Sequence, residues 1–152
     1  MARRKYRKGV FIVVYIKKPV RYLLLHRKLH WKGWEFPKGG LLANEKYKHA
    51  VTREIKEETG LKILKMRKFN IKGKFIYDKK TQKERKFKGF EWKLFAVEVK
   101  KDKVKISRKE HDNYKWVSYS QAVKLLKWPN QKKCIRIVNN LLKRFKNPSK
   151  HK

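Results

Sequence analysis

Two apolar runs, GVFIVVYI (9–16) and VRYLLLHR (20–27), stand three residues apart. β-branched and aliphatic residues at this density suit strands, and the intervening KKP leaves room only for a short turn. The chain is therefore expected to open with two adjacent strands. MARRKYRK, which precedes them, imitates the basic region of a signal peptide. The apolar run after it is short and leads into KKPVRY instead of small residues, so a strand fits better. No run reaches the ~18 apolar residues of a transmembrane helix. A soluble, cytoplasmic protein with no membrane partner is expected.

The remaining elements follow from period and punctuation. KGWEFPKGGLLANE (32–45) reads as a Gly- and Pro-punctuated loop, with Asn44 placed to cap a helix over about Glu45–Glu58 that Gly60 ends. LKILKMRKFNIKGKFIYD (61–78) reads as one or two strands turning at Lys72-Gly73, and KKTQKERKFKG (79–89) as a polar, basic loop. FEWKLFAVEV (90–99) and YKWVSY (114–119) are strand-like, the second with Trp116 expected in the core. SQAVKLLK (120–127), capped by Ser118 or Ser120, and NQKKCIRIVNNLLKRFK (130–146) read as helices. The latter carries Cys134, Ile135, Ile137, Val138, Leu141, Leu142 and Phe145 at helical spacing, a core-facing stripe. Cys134 is the one cysteine, so no internal disulfide is possible and a buried thiol is the default. At 152 residues and 40% apolar the chain is long and greasy enough for one domain with its own core. The expected organisation is a single domain over 1–146 and a basic tail over 147–152. The order of elements predicts an α/β fold, a mixed sheet covered on both faces by helices.

The charge is lopsided: 46 Lys and Arg against 12 Asp and Glu, a formal +34. Two readings stay open. One is a basic surface that attracts nucleotides or RNA; the other is Lys enrichment of a whole genome, thermophilic or AT-rich. Against this background REIKEETG (53–60) is anomalous, because Glu54, Glu57 and Glu58 crowd together. On a helix the i, i+3, i+4 spacing brings all three to one side, where they repel. A divalent cation offsets that cost. Hard carboxylate oxygens suit Mg²⁺, with Mn²⁺ as an alternative, and Mg²⁺ commonly bridges carboxylates to substrate phosphates. Gly39 and Gly40 let the backbone approach a ligand, a loop carbonyl can join the metal shell, and Lys38 sets a positive charge where a phosphate would lie. Together these residues point to hydrolysis of a phosphoanhydride.

GGLLANEKYKHAVTREIKEETGL resembles the Nudix box, with its fixed positions at Gly39, Glu45, Arg53, Glu54, Ile55, Glu57, Glu58, Gly60 and Leu61. The resemblance implies an α/β/α sandwich around a mixed sheet and Mg²⁺- or Mn²⁺-dependent hydrolysis of a nucleoside diphosphate linked to another group. Glu54, Glu57 and Glu58 would hold the metal, Glu54 is a candidate base, and Glu45, Arg53 and Gly60 would be structural. Members often add a glutamate from outside the box; Glu110 is the first choice and Glu91 the second. GWEFPKGG and EHDNYKWVSYSQAVKLL resemble segments of the asymmetrical diadenosine tetraphosphate hydrolases, which give ATP and AMP. That resemblance implies Lys38 on the phosphate chain and Tyr114 and Tyr77 stacked on adenine; half-buried strand aromatics are the alternative for both tyrosines. Gly40, where that group commonly has His, and the basic insertion KKTQKERKFK depart from its pattern. A pyrophosphohydrolase acting on nucleoside triphosphates or the 5′ end of RNA is the alternative activity, and RNA the alternative partner.

Overall fold

A computed structural model describes residues 4–146. The tail expected at 147–152, and the Phe145 side chain, lie outside the described residues. The elements run β1 (Tyr6–Ile16), β2 (Arg21–Arg27), β3 (Gly33–Glu35), β4 (Lys38–Gly40), α1 (Tyr47–Thr59), β5 (Ile63–Ile76), α2 (Lys79–Arg85), β6 (Gly89–Val99), β7 (His111–Val117), α3 (Tyr119–Leu125) and α4 (Pro129–Lys146).

β1 is the centre of the molecule. Successive strand side chains point to opposite faces. Val10, Ile12, Val14 and Ile16 therefore enter one core, and Phe11, Val13 and Tyr15 the other. A strand buried on both faces reads as a continuous apolar run, which accounts for 9–16. β6 runs parallel to β1, from Tyr6↔Gly89 to Tyr15↔Glu98, and β5 pairs antiparallel with β6. β2 pairs antiparallel with β1 only at Tyr15↔Tyr22 and Ile16↔Arg21. It then carries β3 and β7 as its partners, while β4 pairs with β1. The result is a mixed seven-stranded sheet in an α/β/α sandwich. α1 covers one face with Ala50, Val51 and Ile55; α3 and α4 cover the other with Ala122, Cys134, Ile135, Val138 and Leu142. Ile55 has no exposed surface. Ile55→Ala is expected to cost about 2–5 kcal/mol, read as a lower denaturation midpoint with an unchanged m-value. Among the described residues no helix is long and apolar enough to cross a membrane.

Several local expectations give way to tertiary context. The 32–45 segment is not all loop, since β3 and β4 lie in it. Asn44 does not cap α1. It takes the left-handed region (φ 62), and the helix starts two residues beyond Glu45, from Lys46 with no side-chain cap. Asn tolerates that conformation, and Glu45 is occupied elsewhere: it accepts the Leu42 N–H at 3.0 Å. The 61–78 segment is one strand with an irregularity between Lys68 and Lys72, not a hairpin at Lys72-Gly73. Gly73 pairs with Trp92, whose indole lies where a Cβ would stand, so close approach explains the glycine. The polar 79–89 segment contains α2, capped by the Asp78 carboxylate accepting the Thr81 N–H at 2.7 Å. Of the two serines, Ser118 caps α3, in a capping box with Gln121. Trp116 is half-buried against the α1-side core, and Cys134 is fully buried, which pushes its thiol up to about 12.

Candidate active site

Arg53 ties the loop to α1. Its Nε and Nη2 donate to the two oxygens of Glu45, each at 2.8 Å, a bidentate fork. Nη2 also donates to the Gly40 carbonyl at 2.9 Å, and Nη1 to Glu54 Oε1 at 2.7 Å. The Arg53 hydrogen bonds hold the Glu45 carboxyl at about 2. One guanidinium thus joins β4, Glu45 in the turn after it and Glu54 on α1. Gly39 stands against Glu54, whose carboxylate occupies the place a Cβ would take. Gly60 closes the helix at φ 69, its N–H donating to the Ile55 and Lys56 carbonyls.

Glu54 and Glu58, one turn apart, are both buried. Burial pushes the Glu54 carboxyl up to about 7 against the pull of Arg53, with Glu57 and Glu110 adding to the rise. Glu58 is driven well above the carboxylate range by burial, then by Glu54, Glu110 and Glu35. Glu58 Oε2 is buried with no hydrogen-bond partner. Glu58, Glu110 and His111 each bring one ligand atom within 4.8 Å of the others. An orphaned oxygen on Glu58, which like Glu54 is costly to ionise, with the Glu110 carboxylate and His111 close by, fits a divalent cation. Glu57 differs from its neighbours. At roughly 100° per residue it sits at the stripe's solvent edge. Its side chain is 58% exposed and touches Arg53 Nη1 at 3.4 Å.

A second charged group, not singled out by sequence, underlies this cluster. Glu35 has no exposed surface. It accepts from Arg27 Nη1 at 3.0 Å, pairs with His111 Nε2 at 2.8 Å, and lies 3.4 Å from Lys38 Nζ. Burial alone would raise its carboxyl, but Lys38, then His111 and Arg27, hold it at about 2. Arg27 Nη1 also reaches Glu110 Oε2 at 3.6 Å. A bulge between His26 and Arg27 sets the register of β7, so that His111 pairs with Arg27. The signal that could have found Glu35 was available: one of only 12 acids, set inside the aromatic stretch GWEFP.

A cleft of about 890 Å³ lies over this network, lined by Gly39, Glu54, Glu58 and Glu110 at one part and by Arg7, Arg27 and Lys38 beside them; Glu35, His111 and Glu57 are not in its lining. Phe75, Tyr77, Trp31 and Trp128 supply its aromatic walls. Tyr77 carries Arg85 over its ring at 5.0 Å, and Trp31 meets Trp128 edge-on at 5.5 Å. Of the expected residues, the cleft brings together Lys38, Gly39, Glu54, Glu58, Tyr77 and Glu110. Tyr114 is not in its lining. It pairs with Leu25 on β2 and packs against the α1-side core, the strand-aromatic alternative. Glu91 also lies away from it, paired with Lys8 and Lys74 within the sheet.

Residues 5–137 match the NUDIX domain family. An RNA pyrophosphohydrolase of Nitratiruptor sp. is 32% identical over 147 residues, covering 89% of this chain and 94% of that protein. An 8-oxo-dGTP diphosphatase of Buchnera aphidicola is 33% identical over 111 residues, covering 72% and 75%. Among solved structures, the C. elegans Ap4A hydrolase binary complex superposes with a TM-score of 0.72 at 24% identity, covering 90% of this chain and 97% of that one. The E. coli dihydroneopterin triphosphate pyrophosphohydrolase gives 0.71 at 19% identity, covering 87% and 95%; at these identities both likenesses speak for the fold. With the domain match spanning most of the chain and Glu54 and Glu58 of the box lining one cleft, the protein belongs to the NUDIX family.

Proposed function

We propose that this enzyme hydrolyses a nucleotide phosphoanhydride with Mg²⁺, Mn²⁺ suiting the same oxygens, and that its substrate is the 5′-triphosphate end of RNA. The observation that carries the reading is the orphaned Glu58 oxygen beside Glu54 and Glu110, in one cleft with Lys38, Arg7 and Arg27. Glu54, Glu58 and Glu110, with the Gly39 carbonyl, would hold the cation, and Glu57 is the candidate at the solvent edge. When bound, the cation neutralises phosphate oxygens and makes water a better nucleophile. The chain's own residues do the rest. Lys38, Arg7 and Arg27 neutralise the phosphate chain and orient it. Glu35 keeps Arg27 and Lys38 in place beneath it. Glu54 is the candidate proton acceptor: Arg53 holds one of its oxygens, and the other makes no hydrogen bond among the described residues. Water adds across a P–O–P bond, leaving two shorter phosphates.

RNA is preferred as substrate because a relative sharing nearly its whole length is named for that activity, and because the +34 chain suits a long polyanion. Diadenosine tetraphosphate is the second reading, favoured by a cleft with aromatic walls large enough for two bases. Turnover of a triphosphorylated RNA and of the dinucleotide at matched salt and Mg²⁺ separates the two. Pyrophosphate or phosphate released from RNA at the higher kcat/KM supports the first. Faster formation of ATP and AMP from the dinucleotide supports the second, and two ADP excludes the asymmetrical cut. On either substrate Tyr77→Ala is expected to raise KM about tenfold with kcat nearly unchanged, since base stacking is worth ~1–3 kcal/mol.

A further inference from the structure

All 12 acids of the chain lie between Glu35 and Asp112, so the layer made by α3 and α4 has cations and no carboxylate of its own. A second cavity, about 370 Å³, opens between these helices. Lys127, Lys132, Lys133 and Arg136 line it with Tyr119 and Val123. None of the four cations is ion-paired among the described residues. Lys132 and Arg136 are a like-charge i,i+4 pair on α4, a mildly destabilising arrangement that a bound anion would reverse. A solvated face accounts for scattered lysines; it does not account for four cations converging on one concavity.

The position of that concavity matters as much as its charge. Pro129 lines both this groove and the catalytic cleft, and Trp128, with Lys127 Nζ over its ring at 4.9 Å, belongs to the cleft wall. Groove and cleft therefore meet at Lys127–Pro129. A mononucleotide or dinucleotide can end inside the cleft, whereas an RNA must leave it, and at this wall it meets a cationic channel.

We propose that the α3–α4 groove is the track along which the RNA chain leaves the catalytic cleft, its backbone phosphates held by Lys127, Lys132, Lys133 and Arg136. The proposal rests on RNA as the substrate, and its test keeps the two ideas apart. Lys133→Ser/Arg136→Ser removes two exposed groove charges; Lys143→Ser/Arg144→Ser removes two exposed charges from the same helix outside the groove. For a triphosphorylated RNA of about twenty nucleotides, the groove variant is expected to raise KM about tenfold at unchanged kcat. A triphosphorylated dinucleotide should be turned over as by the parent. Binding of the same RNA with a 5′-hydroxyl, followed by fluorescence anisotropy, should weaken, and its log–log salt slope should flatten by about 1.4, the share of two phosphate contacts on a single strand. Equal losses in the two variants, an equal loss on the dinucleotide, or unchanged binding of the 5′-hydroxyl RNA would overturn the track. If triphosphorylated RNA is not hydrolysed but the groove variant alone loses 5′-hydroxyl RNA binding, the substrate reading and the exit track both fall, and the groove is left as an RNA-binding surface.

Discussion

Glu58→Gln is expected to lower kcat on triphosphorylated RNA by about three orders of magnitude while the protein stays folded. Gln keeps the shape of the side chain and removes its charge. Glu58 is buried beside Glu54 and near Glu110, with one oxygen unpartnered. Losing a carboxylate from that set weakens the hold on a cation whose transition-state contribution is several kcal/mol, and each ~1.4 kcal/mol is tenfold in rate. Calorimetric titration with Mg²⁺ provides a second readout and should show weaker binding in the variant. Circular dichroism and a melting curve in EDTA check the fold. Activity within tenfold of the parent, at unchanged Mg²⁺ affinity, would remove Glu58 from the metal set. Glu57→Gln makes a useful comparison. Its side chain is mostly solvated and contacts Arg53, so a smaller loss is expected than at Glu58.

The glutamates were legible because their cost is local. Glu54, Glu57 and Glu58 are close in the chain, and a helix of known period brings them together without any knowledge of the sheet. The central strand was legible for the same kind of reason, as a run buried on both sides. What could not be read depended on contacts between distant segments. Glu35, Arg27 and His111 come from three strands, and only the β2–β3 and β2–β7 registers, with the bulge in the second, bring them into one buried network. Tyr114 shows the same limit from the other side. A tyrosine on a strand can face a cleft or a core, and the pairing with Leu25 decided for the core. Asn44 was misread because its best local role, a cap, lost to a turn that frees Glu45 for Arg53. Lys38 and Arg53 were marked by the motif around them, but Lys and Arg are too common in this chain for the others to stand out by sequence. Arg7, Arg27 and the cations of the α3–α4 groove became conspicuous only when concave surfaces brought them together.

Melting the metal-free protein across pH is expected to show stability falling from about pH 5 to pH 8, with added Mg²⁺ restoring it most at the alkaline end. The folded Glu54 carboxyl titrates at about 7, raised first by burial, against an ordinary value of 4.5. Between those values the folded protein holds a proton that the unfolded chain has released. Stability therefore declines as pH rises through this window and levels off above it. Glu58, also raised, extends the decline upward. Glu35 has the opposite sign: its carboxyl is held at about 2, so its contribution is complete above 4.5 and is lost as pH falls towards 2. A maximum near pH 5 follows from the two together. The Glu54 shift alone corresponds to something on the order of 3 kcal/mol, or roughly 10 °C in Tm for a domain of this size. Glu54→Gln should flatten the alkaline limb in EDTA and raise Tm at pH 8, because the neutral amide no longer has to be ionised in a buried site. Mg²⁺ requires the ionised carboxylates and displaces their protons, so the Tm gained by adding it to the parent should grow with pH and shrink in the variant. A metal-free Tm that rises between pH 5 and 8, or a parent and Glu54→Gln with parallel profiles, would show that these carboxyls are not strained in the empty site. The cluster would then need no cation to explain it.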